Sequence, residues 1–350
     1  MKKLSKKRKK VIIISTIILL ALLGVLTAFY FSVFGRVLTN EKAGYILIDK
    51  DDDIDSVRSK IESIGHPSSM QGFNLLNNYT DYENKIHIGR YKISKDITML
   101  SLFRNLRNGQ QTPVSVVVPS VRTVDEECDK ITKYLMLKSE ELKSLLKDSA
   151  YISSIGFNKN TLPALFIPNT YEIYWTTDAH KLVERLKEEY DRFWDDDRIS
   201  KATSLNLTPI EVVTLASIVD SETAREEDKP IIARLYLNRI EKHMKLQSCP
   251  TVIYAVGDFS IRRVLQKHIS TDSPYNTYKY EGLPPGPIRI PTISAIDAVL
   301  NPDENDYLYM CAKEDFSGEH YFTSSETEHM ANGRKYAEAL NKRNAVKKKN

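Results

Sequence analysis

From Val11 to Phe34 the chain reads VIIISTIILLALLGVLTAFYFSVF, 24 residues without a charge. Backbone in hydrocarbon must satisfy its own hydrogen bonds, so such a stretch is a helix, and 24 residues suffice to cross an apolar core about 30 Å thick. A cleaved leader would carry an apolar core of about 7–15 residues followed by a small-residue site. This stretch is longer and ends in bulky Phe29, Tyr30, Phe31 and Phe34, which favours an uncleaved anchor.

Charge orients the span. Lys2, Lys3, Lys6, Lys7, Arg8, Lys9 and Lys10 precede it with no acid among them, and only Arg36 stands just beyond. The positive-inside rule makes residues 1–10 a cytoplasmic tail and 11–34 a transmembrane helix, with the remainder outside, in the periplasm of a cell bounded by an inner membrane. That remainder is slightly acidic, since the 50 basic residues lose seven to the tail while the 46 acidic ones all lie beyond it. A nucleic-acid partner, which needs a concentrated basic face, is therefore not expected.

Cys128, Cys249 and Cys311 are far apart and make no metal-binding spacing or disulfide framework. The acidic run DKDDDIDS, at 49–56, has Ser56 where a calcium loop needs glycine, so it reads as the solvated N-terminus of a helix.

The body alternates α and β signals. Tyr45–Ile48 and His87–Ile93 read as strands; Ile54, Val57, Ile61 and Ile64 recur at helical spacing, and Asp96–Leu106 reads as a further helix. The expected fold class is α+β: the membrane helix, a small α+β module over 44–112, and a larger mixed α/β domain over 113–346 opening on a strand at Val114–Val118. The anchor is expected to add nothing to the core, so a chain beginning near Asn40 should fold without it.

One helix start is sharply marked. In TPIEVVTLASIVDSET, Thr208 is an N-cap, Pro209 occupies the first helical position and Glu211 stands three residues after the cap. Val212, Leu215, Ala216, Val219 and Thr223 are expected to form one apolar stripe, with Glu222 on its flank and Asp220 on another face. A carboxyl set among apolar groups keeps its proton near neutral pH, which suits it to protonate a leaving oxygen. An ion pair of Glu222 with Arg225 or Lys229 is the bland alternative.

Four segments then follow in order: LASIVDSET, LYLNR (Leu235–Arg239), LQSCPTVIYAVGD (Leu246–Asp258) and SPYNTYKYEGLPPGPI (Ser273–Ile288). Together they resemble the endolytic murein transglycosylases of the YceG-like family. HIGRYKI (His87–Ile93) resembles that family's LysM-like module, FIPNTYEIYW (Phe166–Trp175) another of its motifs, and HYF (His320–Phe322) with His329 its C-terminal element. The resemblance implies that Glu222, before Thr223, is the catalytic acid/base, with Asp220 replacing the glutamate two residues earlier. Cys249 stands where the family motif has an aspartate.

By the same resemblance the activity is that of a lyase on peptidoglycan. Glu222 protonates the oxygen between N-acetylmuramic acid and N-acetylglucosamine, then accepts the muramyl 6-hydroxyl proton, leaving a 1,6-anhydro end and limiting nascent strand length. No metal or organic cofactor is implied. The implied partners are glycan strands, the membrane and peptidoglycan synthases. Asp220, Asn238, Gln247, Thr251, Tyr254, Tyr275, Asn276, Thr277, Tyr278 and His320 are the substrate-binding candidates, offering amide and hydroxyl groups for sugar polar groups and flat aromatic faces for sugar rings. Two other readings use the same residues: a lysozyme-type hydrolase pairing Glu222 with Asp220 or Glu226, and a noncatalytic glycan-binding scaffold.

Overall fold

The computed structural model describes residues 6–38, 44–65 and 67–347. The chain is mixed α and β, and among the described residues one helix, Lys6–Phe34, is long and apolar enough to cross a membrane. Two compact units are present: Met1–Val114 with Glu172–Thr177, and Ser115–Tyr171 with Asp178–Asn350.

In the first unit, Gly44–Ile48 pairs antiparallel with Gly89–Ile93, Gly44 opposite Ile93 and Ile48 opposite Gly89. Alternation places Ile46 and Ile48 on the buried face beside Tyr91 and Ile93. The acidic run ends in a helix cap: Asp53 accepts from the Ser56 amide at 2.8 Å and opens the helix Ile54–Glu62, which buries Val57 and Ile61. The Pro67–Thr80 helix, which has no marked cap or stripe in the sequence, brings Phe73 into edge-on contact with Tyr82 and Phe103. Thr98 caps a further helix of this core, Met99–Arg107.

The anchor's end belongs to this core, which corrects the expectation that it adds no contacts there. Val33 and Val37 are buried, the Val37 amide donates to Ile97 O at 3.0 Å, and the Lys6–Phe34 helix packs on Pro67–Thr80. Gly72 makes that packing close: a Cβ there would lie 2.1 Å from the Ser32 carbonyl oxygen. The Lys6–Phe34 helix therefore enters the folded unit without a free linker between Phe34 and Val37.

In the second unit the helix Pro209–Glu222 is central. Thr208 and Glu211 form the expected reciprocal cap, Thr208 N donating to Glu211 Oε2 at 2.8 Å and Glu211 N to Thr208 Oγ1 at 3.3 Å. Val212 to Val219 are all buried, so the helix has no single apolar stripe. The physical reason is that Lys229–Glu241, Cys249–Val256 and Ile293–Leu300 pack around it, and its small polar residues turn inward. Thr214 Oγ1 bonds Ile210 O, and Ser217 Oγ accepts from the Ile288 amide at 3.0 Å. Tyr309–Ala312 and His320–Thr323 form an antiparallel hairpin, and Val114–Val118 pairs with Asn169–Ile173.

A chain beginning at residue 44 loses Val37 from the first unit, about 2 kcal/mol of apolar burial. Its first unit is expected to melt at least about 5 °C below that of a chain beginning at Phe31, by circular dichroism. Equal melting temperatures would mean that residues 32–38 contribute nothing to this core.

Candidate active site

Glu222 is the last residue of the buried helix, and Thr223 leaves it in extended backbone. The helix thus drives a carboxyl out of the core and into a cavity of about 320 Å³, lined also by Tyr236, Arg239, Gln247, Cys249 and Tyr278. Tyr236 OH donates to Glu222 Oε1 at 2.8 Å and Ser248 Oγ donates to the same oxygen at 2.5 Å. Two donors fill Oε1, so the proton of the neutral acid sits on Oε2.

Burial raises the Glu222 carboxyl above the ordinary glutamate value; the hydroxyls of Ser248 and Tyr236 and the field of His320 act in the opposite direction. Burial, then the neighbouring Glu222, pushes the Tyr236 phenol far above its ordinary range, so it remains a donor.

Ser248 is held on three sides. Its amide donates to Thr277 Oγ1 at 3.1 Å, its carbonyl accepts from Thr251 Oγ1 at 2.8 Å, and Thr251 and Thr277 share a 2.7 Å contact. Gln247, at φ 55°, turns the chain just before it and donates its amide to Thr277 O. Asn276 builds the facing turn, donating to Ile269 O and Thr271 O at 2.7 and 2.8 Å.

The sequence candidates therefore fall in distinct places. Gln247 and Tyr278 line the cavity with Glu222; Thr251, Thr277 and Asn276 stand behind Ser248. Asn238 is buried, its amide donating to Asn305 O and Tyr307 O. Tyr254 and Tyr275 rings lie 4.7 Å apart, and Tyr254 lines a different cavity. His320 Nδ1 lies 3.0 Å from Asp228 Oδ2.

Asp220 does more than tune the site from another face. Its carboxylate, almost fully buried, meets Lys229 Nζ at 3.1 Å and Arg289 Nε at 3.5 Å, and accepts from Thr292 Oγ1 at 2.7 Å. Lys229 is also bound to Glu226 at 2.8 Å, and Arg225 pairs with Glu227, Asp228 and Glu319. The ion pair of Glu222 with Arg225 or Lys229 is thus replaced by two hydroxyl donors.

Sequence reasoning passed over Ser248, Tyr236 and Arg239 as site residues, although all three stand within its quoted motifs. Arg239 donates to the carbonyls of Leu308, Lys245 and Leu246, fixing the loop that carries Gln247 and Ser248. Cys249 Sγ lies 3.3 Å from Tyr278 OH at the cavity wall, and burial raises its thiol; all three cysteines are free.

The sequence model of the YceG-like family matches residues 46–335. The chain belongs to the YceG-like family. Over 207 residues it is 34% identical to a protein of Bacillus subtilis named endolytic murein transglycosylase, covering 58% of this chain and 56% of that one. A Streptococcus pneumoniae protein of the same name is 27% identical over 310 residues, 80% of this chain and 55% of that one. The chain thus spans about half the length of the curated relatives it matches. A solved YceG-like protein from Listeria monocytogenes superimposes with TM-score 0.56 at 26% identity, covering 83% of this chain and 99% of that one.

A raised carboxyl links the site to stability. The protonated state's contribution is whole below the ordinary glutamate value of 4.5 and is lost as pH rises through the elevated value. Wild type is therefore expected to lose melting temperature across that window, while Glu222→Gln, with nothing to ionise, declines less and melts at or above wild type at pH 8. Parallel melting curves between pH 4 and 8 would mean that Glu222 is not raised.

Proposed function

We propose that this protein is a membrane-anchored lytic transglycosylase that cuts peptidoglycan glycan strands internally, with Glu222 as its single acid/base. The observation that carries the reading is a carboxyl raised by burial, facing a cavity, with both of its neighbouring donors on one oxygen. Names of the relatives support the reaction class.

Glu222 Oε2–H donates to the glycosidic oxygen between N-acetylmuramic acid and N-acetylglucosamine. The bond from that oxygen to muramyl C1 breaks, and its electron pair stays with the departing sugar. The new carboxylate, stabilised on Oε1 by Tyr236 and Ser248, takes the proton of the muramyl 6-hydroxyl. O6 closes on C1, giving a 1,6-anhydro end without water and returning Glu222 to its protonated form. A charge-assisted bond from each hydroxyl strengthens as the acid ionises, so the pair favours the proton-loss step more than the resting state.

A lysozyme-type hydrolase divides these tasks between two carboxyls on either side of the bond. Glu222 is the single carboxyl among the described residues lining this cavity, and Asp220 and Glu226 are both engaged by Lys229. That favours the one-carboxyl route. Gln247 and Tyr278 then act as sugar contacts, Thr251, Asn276 and Thr277 as supports of Ser248, and His320 contributes its field.

The remaining expectations belong to the same proposal. Residues 44–112, as a LysM-like module, add affinity for polymeric glycan, and 113–346 carry catalysis. The Lys6–Phe34 helix holds the protein in the cytoplasmic membrane with its basic end inside and the catalytic domain on the outer face, where it trims strands made by peptidoglycan synthases.

Glu222→Gln is expected to lower turnover on purified strands by about 10²–10⁴-fold, with anhydromuramyl ends by mass spectrometry appearing for wild type and vanishing for the variant. Asp220→Asn instead removes a buried ion-pair partner. It is expected to cost about 3 kcal/mol of stability while the folded fraction keeps most of its turnover. Reducing muramic acid ends from wild type, or a dead Asp220→Asn beside an active Glu222→Gln, would overturn the assignment.

A further inference from the structure

A second cavity, of about 140 Å³, lies beside the first. Ser221 and Pro250, the sequence neighbours of Glu222 and Cys249, line it together with Arg122, Tyr254, Phe259 and Arg289. Nothing in the transglycosylase step described above uses it.

Its charge is one-sided. Two guanidinium groups line it, and no carboxylate stands among the described lining residues. Arg289 is fixed from behind: its Nη2 donates to Ser120 Oγ at 2.9 Å and its Nε lies 3.5 Å from Asp220 Oδ2. Asp220, Glu226, Lys229 and Arg289 together balance to zero, because Lys229 joins both acids. Arg122 adds a positive charge beyond that balance. Its guanidinium sits 4.6 Å from the Phe259 ring centre, and contact with a ring face leaves N–H donors for an anion.

The rest of the wall is apolar or aromatic apart from Ser221, whose hydroxyl donates to Ser217 O at 2.7 Å. Ile253 and Ile288 lie beneath, and Tyr254 is backed by Tyr275 at 4.7 Å. The space, about 140 Å³, accommodates a short branched acid. A small apolar branch ending in a negative charge fits this chemistry.

The geometry points to this cavity as a subsite for the carboxylate on the lactyl branch of a muramyl residue, held by Arg122 and Arg289 while the adjoining glycosidic bond faces Glu222. This rests on the transglycosylase reading for the identity of the sugar. The carboxylate belongs to the lactyl group itself on a peptide-free strand, or to the stem peptide that extends it.

The test measures binding of the full chain in detergent micelles, in the Glu222→Gln background so that strands are not consumed. Four probes are used: peptide-free strands, peptide-bearing strands, and each after conversion of its carboxylates to amides. Free carboxylates are expected to bind about tenfold more tightly than their amides, the scale of one hydrogen bond to a charged group. Arg122→Gln should remove that preference and Arg122→Lys should restore part of it. A preference on peptide-free strands assigns the lactyl carboxylate, and one confined to peptide-bearing strands assigns the stem peptide; either upholds the subsite. No preference in the parent, or one that survives Arg122→Gln, overturns it. Because the readout is a Kd, it stands apart from the chemistry: wild type yielding no anhydro ends would defeat the transglycosylase reading and leave this binding result to be judged alone.

Discussion

Two hydroxyls converge on one oxygen of Glu222, and the surrounding unit is organised to keep them there. Tyr236 comes from a helix packed against the buried Pro209–Glu222 helix, and Ser248 from the turn that opens the next one. Neither group is long or flexible enough to follow a carboxyl that wanders. The distances hold only if three helices keep their relative positions, and the buried residues Val212 to Val219 ensure that the central one cannot slide. Packing in this protein is therefore the cause of the site's geometry.

Electrostatics is divided between the two faces of that helix end. On one, Glu222 is half-buried beside neutral donors, and burial raises its carboxyl above the ordinary glutamate value. On the other, Asp220 is buried with Lys229 and Arg289 and serves as a hub for Ser120, Thr292 and Glu226's partner lysine. Two carboxyls two residues apart thus keep different company, hydroxyls for Glu222 and cations for Asp220. A buried ionic cluster adds little net stability over an apolar one, but breaking it leaves an unpaired charge, so Asp220 holds the loop carrying Arg289 in a fixed place.

Much of this was legible in the residues. Thr208, Pro209 and Glu211 mark the helix start because capping is local chemistry, and the short strands of the first unit follow from alternation. The single-stripe picture fails because amphipathicity assumes that one face meets water, whereas this helix is enclosed by neighbours distant in sequence. Ser248 and Tyr236 escape notice for a related reason: a serine before a proline-containing helix start and a tyrosine inside an apolar run look structural until the fold brings them within 3 Å of the same atom. Likewise, the apolar helix looks independent in sequence, and the buried Val37, its bond to Ile97 O and the close approach of Gly72 to Ser32 show its end to be part of a folded core.

The protonation state of Glu222 links helix, cavity and reaction, and infrared difference spectroscopy observes it directly. Subtracting Glu222→Gln from wild type isolates one protonated carboxyl stretch, which can be followed from about pH 3 to about pH 9. A raised acid keeps that band well above pH 4.5, the ordinary value for glutamate, and loses it only as pH climbs through the elevated value. A band that disappears at or below pH 4.5 would mean that Glu222 is ionised at neutral pH and cannot be the proton donor.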